Sequence, residues 1–187
     1  MVLAFYSDRK TDGTYDLYTA DSDDGKNWST PRLLAAIPKE GIFKYTEGAE
    51  AELNLVVDAQ DQVWIMYTSD SKGQRSLRMS KDGRLWDAPR PISFRELLPE
   101  SLKGHLFSTH AVYTSIVLGA LPSGGLMAAC RSYRSGENGA CSLLLFTSGD
   151  GATWKWKHQV KREDSSFLSL QPSNKQSLRI CPMPRGG

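Results

Sequence analysis

Residues 21–28 read DSDDGKNW, and the same pattern returns as MSKDGRLW at 79–86 and as TSGDGATW at 147–154. Every copy has a serine, an Asp-Gly pair two residues later, and a tryptophan three residues after the glycine. The copies follow one another at intervals of 58 and 68 residues. A shared turn pattern at that spacing indicates a repeated supersecondary unit.

Each copy predicts a tight hairpin turn. The aspartate supplies a side-chain acceptor, the glycine tolerates positive φ, and the tryptophan can bury a large area over the turn. The runs on either side are short, apolar and partly β-branched, which is typical of strands rather than helices. The best helix candidate is a turn or two over residues 94–98, ended by Pro99. Strands are predicted over 15–19, 53–57, 63–67, 76–79, 116–120, 126–130 and 142–146.

Four strands with a conspicuous third turn are typical of a propeller blade, so the sequence predicts an all-β fold of three four-stranded antiparallel blades. The approximate blade boundaries are 1–48, 49–112 and 113–176. Residues 177–187 align without gaps with 115–125, which hold the first strand of the third blade. We expect this tail to supply the first strand that the first blade lacks. The alternative is that the chain is a fragment of a longer propeller.

The composition excludes several classes of partner. The chain has 187 residues, enough for one ordinary domain, and a formal net charge of +2, so nothing in its charge favours nucleic acid or an anionic membrane. It has no apolar run long enough for a membrane helix. The three cysteines form no CxxC pair and the three histidines have no metal-ligand spacing, so we expect neither a metal nor a cofactor. The residues leave localisation open: cytoplasmic if Met1 is the native start, otherwise secreted or periplasmic.

The three copies resemble Asp boxes, the bacterial neuraminidase repeats with the pattern Ser-x-Asp-x-Gly-x-Thr-Trp. The first copy has Asp23 at the family's aspartate position, whereas the second has Lys81 and the third has Gly149 there. The resemblance implies that these turns are structural and hold an outer hairpin of each blade, away from the ligand-binding mouth. The residues assigned to them are Asp23, Gly25, Trp28, Asp82, Gly83, Trp86, Asp150, Gly151 and Trp154.

Similarity to sialidases also implies a six-bladed ring, which two copies of this chain would complete as a homodimer. It implies that Arg9 and Arg131 bind a substrate carboxylate, because arginine recognises carboxylates in bidentate geometry. Asp12 takes the acid/base position. Tyr113 is the candidate nucleophile, with Glu50 as the nearest substitute for a family glutamate whose position falls at Ser115.

The sequence thus favours a sialidase-like, carbohydrate-active propeller, whose activity would be that of a glycoside hydrolase on sialylated or related glycans. The alternative is a non-catalytic propeller that binds glycan or protein, or an inactive fragment of a larger one. Aromatic residues such as Trp64 and Trp156 offer rings on which a sugar could stack in either case. The fold alone does not decide between these functions.

Overall fold

A computed structural model describes residues 1–7, 14–38, 53–69, 74–102, 116–133 and 141–161. Within these ranges the prediction of an all-β chain is confirmed. The strands are β1 (Val2–Ser7), β2 (Thr14–Asp21), β3 (Arg32–Pro38), β4 (Leu53–Val57), β5 (Val63–Thr68), β6 (Arg75–Ser80), β7 (Arg90–Ile92), β8 (Ile116–Ala120), β9 (Leu126–Tyr133), β10 (Cys141–Ser148) and β11 (Trp154–Lys161).

The strands form three antiparallel sheets in which each strand pairs with its neighbours in sequence. The first sheet has the order β1-β2-β3, the second β4-β5-β6-β7 and the third β8-β9-β10-β11. The predicted four-stranded unit is therefore present twice, and the described part of the first sheet lacks the strand that would precede β1. The tail expected to supply it, residues 177–187, lies outside the described residues. The described residues thus form three separate sheets.

The chain divides into two compact units, and the first, Met1–Ile92, contains two sheets. Leu17 and Ile37 of the first sheet and Ile65 and Tyr67 of the second form one buried cluster. Trp86, the last residue of the second copy of the repeat, packs against this cluster from the side of the second sheet. The two sheets thus share a core, because apolar residues that alternate along each strand meet face to face.

The second unit, Ser93–Gly187, contains the third sheet. Phe94 lies with its ring centroid 4.8 Å from that of Phe146 and 5.3 Å from that of Trp154, so three buried aromatic rings pack on one face of this sheet. The helix predicted over 94–98 is a turn held by hydrogen bonds from Leu97 N–H to Phe94 O and from Leu98 N–H to Arg95 O. Within this turn the side chains of Phe94 and Leu98 are buried.

Replacing Trp86 with alanine tests the shared core of the first unit. We expect Trp86→Ala to lower the free energy of unfolding by about 3 kcal/mol, because it removes a half-buried indole from the cluster. The neighbouring Leu85 is exposed, so Leu85→Ala should change stability by no more than about 0.5 kcal/mol. Urea unfolding followed by tryptophan fluorescence and circular dichroism measures both. Equal losses for the two variants would contradict the packing.

Candidate functional site

The two ends of each sheet carry different parts of the sequence. The three copies of the repeat form what we call the Ser–Asp–Gly turns, residues 22–28, 80–86 and 148–154. Each turn joins the last two strands of its sheet: β2 to β3, β6 to β7 and β10 to β11. In the third sheet Leu126 pairs with Ser148 at the turn end, and Tyr133 pairs with Cys141 at the opposite end. The strands of the first and second sheets run with the same polarity relative to their turns.

The aspartate before the glycine is the centre of each Ser–Asp–Gly turn. In the second turn Oδ1 of Asp82 accepts hydrogen bonds from the backbone N–H of Arg84 at 2.8 Å and of Leu85 at 2.9 Å. It also accepts the hydroxyl of Ser80 at 3.0 Å. Gly83 has a φ of 72°, in the left-handed region that glycine adopts without strain. The same set of hydrogen bonds recurs at Asp24 and at Asp150.

These hydrogen bonds place Asp24, rather than Asp23, at the centre of the first turn. Asp23 is exposed, and its carboxylate lies 3.5 Å from the guanidinium of Arg84. In this chain the structural carboxylate is one residue closer to the glycine than in the family pattern. The sequence did carry this signal, since the Asp-Gly pair is common to all three copies, whereas Asp23 has no acidic counterpart in the other two.

The turn aspartates are fixed anions. Hydrogen bonds from two successive backbone N–H groups hold the pKa values of Asp24, Asp82 and Asp150 below their ordinary value. A carboxylate that accepts several backbone hydrogen bonds is stabilised in its charged form, and its lone pairs are already used. These groups therefore stabilise the turns, and they are unsuited to donating a proton to a leaving group.

The three tryptophans of the turns lie in different environments. Trp154 is buried, and its Nε1–H donates to the carbonyl oxygen of Gly151 at 3.1 Å, which folds the indole over its own turn. Trp86 packs against the core that the first two sheets share. Trp28 remains 39% exposed. The repeat thus places a tryptophan at the same position of each turn, and the surrounding side chains determine how far that tryptophan is buried.

Asp21, the last residue of β2, links the first two sheets. Its buried carboxylate accepts hydrogen bonds from Ser29 Oγ at 2.9 Å, from Arg32 Nη2 at 2.5 Å, and from Nε of Arg84 in the second turn at 2.7 Å. The hydrogen bond from Arg84, followed by that from Ser29, lowers the pKa of Asp21 to about 2. Arg84 is half-exposed, so water screens part of this ion pair.

Most of the predicted ligand-binding and catalytic residues lie outside the described residues: Arg9, Asp12, Glu50 and Tyr113. Arg131 lies within β9, where it pairs with Leu143, two residues from the end of the strand that is farthest from the turn. In sequence, Arg9 and Asp12 follow the corresponding end of β1. That end of β1, Ser7, pairs with Asp16 and is the end of the first sheet away from its Ser–Asp–Gly turn.

Trp64 is not an exposed ring on which a sugar could stack. It is buried, its Nε1–H donates to Oδ2 of Asp58 at 2.7 Å, and the guanidinium of Arg90 lies 5.7 Å from its ring centroid. The Asp58 carboxylate also accepts the backbone N–H groups of Gln60 and Gln62, so this indole is part of the turn between β4 and β5. Trp156 is half-buried, and its buried Nε1 has no hydrogen-bond partner among the described residues.

Within the described ranges, no group of three or more histidine, cysteine and acidic side chains is arranged to hold a metal ion. The same ranges contain no helix that is long and apolar enough to cross a membrane. The side chain of Cys130 is buried.

Comparisons with known proteins give one structural neighbour of note. The chain matches no protein-family model and no curated protein. Among solved structures it is similar to a fucose lectin from Kordia zhangzhouensis in complex with methyl-fucoside, with 14% sequence identity and a TM-score of 0.41. That match covers 83% of this chain and 89% of the lectin chain. What this chain binds has to be inferred from its own residues.

Substitutions in the second turn distinguish the two aspartate positions. We expect Asp82→Ala to lower the urea midpoint, because it leaves the backbone N–H groups of Arg84 and Leu85 without their acceptor. Lys81→Ala, at the family's aspartate position, should leave the midpoint unchanged, since Lys81 is exposed. A larger loss for Lys81→Ala would place the structural side chain at the family position instead.

The depressed pKa of Asp21 predicts how stability depends on pH. Because the folded pKa of about 2 lies below the ordinary value of 3.8, the stabilisation from this carboxylate is complete above about pH 4 and is lost as the pH falls through about 2. The difference in urea midpoint between the wild type and Asp21→Asn should therefore be constant near neutral pH and shrink below about pH 4. The remaining acidic residues are common to both proteins and cancel. A difference that widens on acidification would refute the proposed linkage.

Proposed function

We propose that this chain is a glycan-binding protein with a sialidase-like, Asp-box propeller architecture, and that it binds sugars without hydrolysing them. The residues that we assign to the site are those that the sequence predicts: Arg9 and Arg131 would supply guanidinium groups, and Asp12 a carboxylate. The ligand class is an anionic glycan, such as one that ends in sialic acid.

One observation carries this proposal: the polar chemistry of the two sheet ends is different. At the turn ends, the carboxylates of Asp24, Asp82 and Asp150 are already bound by backbone N–H groups. These three carboxylates are engaged in holding their own hairpins. Toward the opposite end of the third sheet lies Arg131, two residues from the end of β9. Residues that bind a ligand are expected on the connections that leave a rigid scaffold.

Binding without hydrolysis is favoured by the carboxyl groups. A glycosidase needs a general acid whose pKa is raised so that it stays protonated near neutral pH. The lowered pKa values of Asp21, Asp24, Asp82 and Asp150 make these four groups unsuited to that role, while Asp12 and Glu50 lie outside the described residues. In addition, the position at which a sialidase-like glutamate would fall is occupied by Ser115, which cannot replace it.

An arginine-based site has a clear preference among sugars. Guanidinium groups bind a carboxylate through paired charge-assisted hydrogen bonds, which a neutral sugar cannot form. The affinity for a sialylated glycan should therefore exceed that for the same glycan without sialic acid, and the excess should fall as salt is added. A protein-binding propeller would show neither dependence.

Replacing Arg131 tests the site. We expect Arg131→Ala to weaken binding of a sialylated oligosaccharide about tenfold or more, with a much smaller effect on the neutral parent glycan. The matched control is Lys155→Ala, which removes an exposed cation of the same sheet beside the turn end and should leave binding unchanged. Isothermal titration calorimetry, with sialylated, fucosylated and unmodified glycans, measures all three proteins.

Two results would overturn the proposal. One is equal affinity of the wild type for sialylated and neutral glycans, or binding to neither. The other is release of fluorophore from a fluorogenic sialoside at a rate that falls when Asp12 is replaced by asparagine, which would establish hydrolysis. A background rate that Asp12→Asn leaves unchanged agrees with binding alone.

A further inference from the structure

The Ser–Asp–Gly turns place the three sheets in a common register. The serine of each turn lies opposite the apolar residue at the beginning of the sheet's neighbouring strand, β1, β5 or β9. Ser22 exchanges backbone hydrogen bonds with Met1, directly before β1, while Ser80 pairs with Val63 and Ser148 pairs with Leu126. Strands β1, β5 and β9 are therefore equivalent residue by residue. Leu3 corresponds to Ile65 and to Ala128 in this register.

Equivalent positions are buried in the second and third sheets and exposed in the first. Ile65 and Ala128 are buried, whereas Leu3 is 48% exposed; Val63 and Leu126 are buried, whereas Met1 is 73% exposed. Leu33 of β3 is exposed too, as is Trp28, although the equivalent Trp154 is buried. The first sheet thus presents what we call the open face: Met1, Leu3, Trp28 and Leu33. Exposed apolar side chains on one sheet mark an interaction surface.

The structure shows how the equivalent face of the second sheet is covered. There the first sheet packs on it: Val2 lies so close to Gly83 that a β-carbon at Gly83 would be 2.2 Å from Val2 Cγ2. Arg84 binds Asp21, and Trp86 packs against the shared core. The second Ser–Asp–Gly turn therefore forms part of the surface on which the preceding sheet packs.

The first turn has the same parts without that neighbour. Gly25 has the same φ of 72° as Gly83, and Lys26 stands where the second turn has Arg84. The place above Gly25 is taken by the chain's own Met1, whose sulfur would lie 2.9 Å from a β-carbon there. By analogy with the second turn, we expect the surface around the first turn to pack against another sheet of the same kind.

A matching surface exists on the third sheet. In β10, Phe146 faces the aromatic cluster with Phe94, so alternation along the strand puts Leu143, Leu145 and Thr147 on the other face. These three side chains are only half-buried. Their equivalents in the first sheet, Leu17, Thr19 and Asp21, are buried, and Leu17 and Asp21 contact the second sheet. We call Leu143, Leu145 and Thr147 the rear face.

We propose that the open face of the first sheet binds the rear face of the third sheet in a second copy of this chain. Propellers have about 4–8 blades and a chain supplies three sheets, so two copies joined head to tail through two equal contacts would close a ring of six. The proposal is independent of glycan binding.

Charge complementation tests the contact. The wild type should sediment as a discrete dimer, and Leu3→Glu on the open face should raise the dimer dissociation constant at least about a hundredfold, because a charge would be buried in the interface. Leu145→Lys on the rear face should do the same. Mixing the two variants should restore a dimer, because one of its two contacts pairs glutamate with lysine and the other is wild type. Leu85→Glu, at an exposed leucine outside both faces, is the control and should remain dimeric.

Sedimentation velocity and light scattering measure the mass of each protein and of the mixture, and circular dichroism checks that each is folded. A wild type that stays monomeric at high micromolar concentration overturns the proposal. So does a Leu145→Lys variant that stays dimeric while Leu3→Glu dissociates, since two open faces would then be in contact with each other. Folded monomeric variants that do not associate when mixed also contradict it.

Discussion

The rest of the described structure depends on a short-range hydrogen-bond arrangement: an aspartate that accepts two successive backbone N–H groups and a serine hydroxyl, next to a glycine at positive φ. This arrangement reverses the chain between two strands with a fixed register. Because it occurs at the same place in all three sheets, it sets which residues of β1, β5 and β9 are equivalent. The side chains of the first two sheets that pack against each other follow from that register.

The turn that reverses the chain in the second sheet also contacts the first sheet. The second turn brings Gly83, Arg84 and Trp86 against the first sheet, where they meet Val2, Asp21 and the shared apolar cluster. Local order and packing between sheets are thereby coupled, since a turn that loses its shape also loses the surface by which its sheet is held. The ion pair between Arg84 and Asp21 adds orientation to a contact whose free energy comes mainly from apolar burial.

The sequence predicted the features that local chemistry determines, and the limits of that prediction are physical. Asp-Gly turns and alternating apolar runs lie within a few residues of one another, so the strands, the turns and the all-β class were accessible. The pairing of Asp21 with Arg84 joins residues 63 positions apart, and no period or motif marks it. Trp154 is buried in contact with Phe94, far from it in sequence, whereas the equivalent Trp28 is exposed, and the repeat does not predict this difference. The proposed ligand residues, Arg9, Asp12 and Arg131, are on or near connections, whose side-chain positions tertiary packing determines rather than local pattern.

The steric surroundings of the turns also bear on how such a repeat can drift in sequence. The family's aspartate position is occupied here by Asp23, Lys81 and Gly149, all exposed, and a β-carbon at Gly149 would have nothing within 4 Å. Such a position can change between acid, base and glycine at little cost to the fold. Gly83 has no such freedom, because it has a positive φ and is in close contact with Val2. The residue two positions before the glycine can therefore vary between copies while the turns keep the same geometry, because the hydrogen bonds come from the aspartate directly before the glycine.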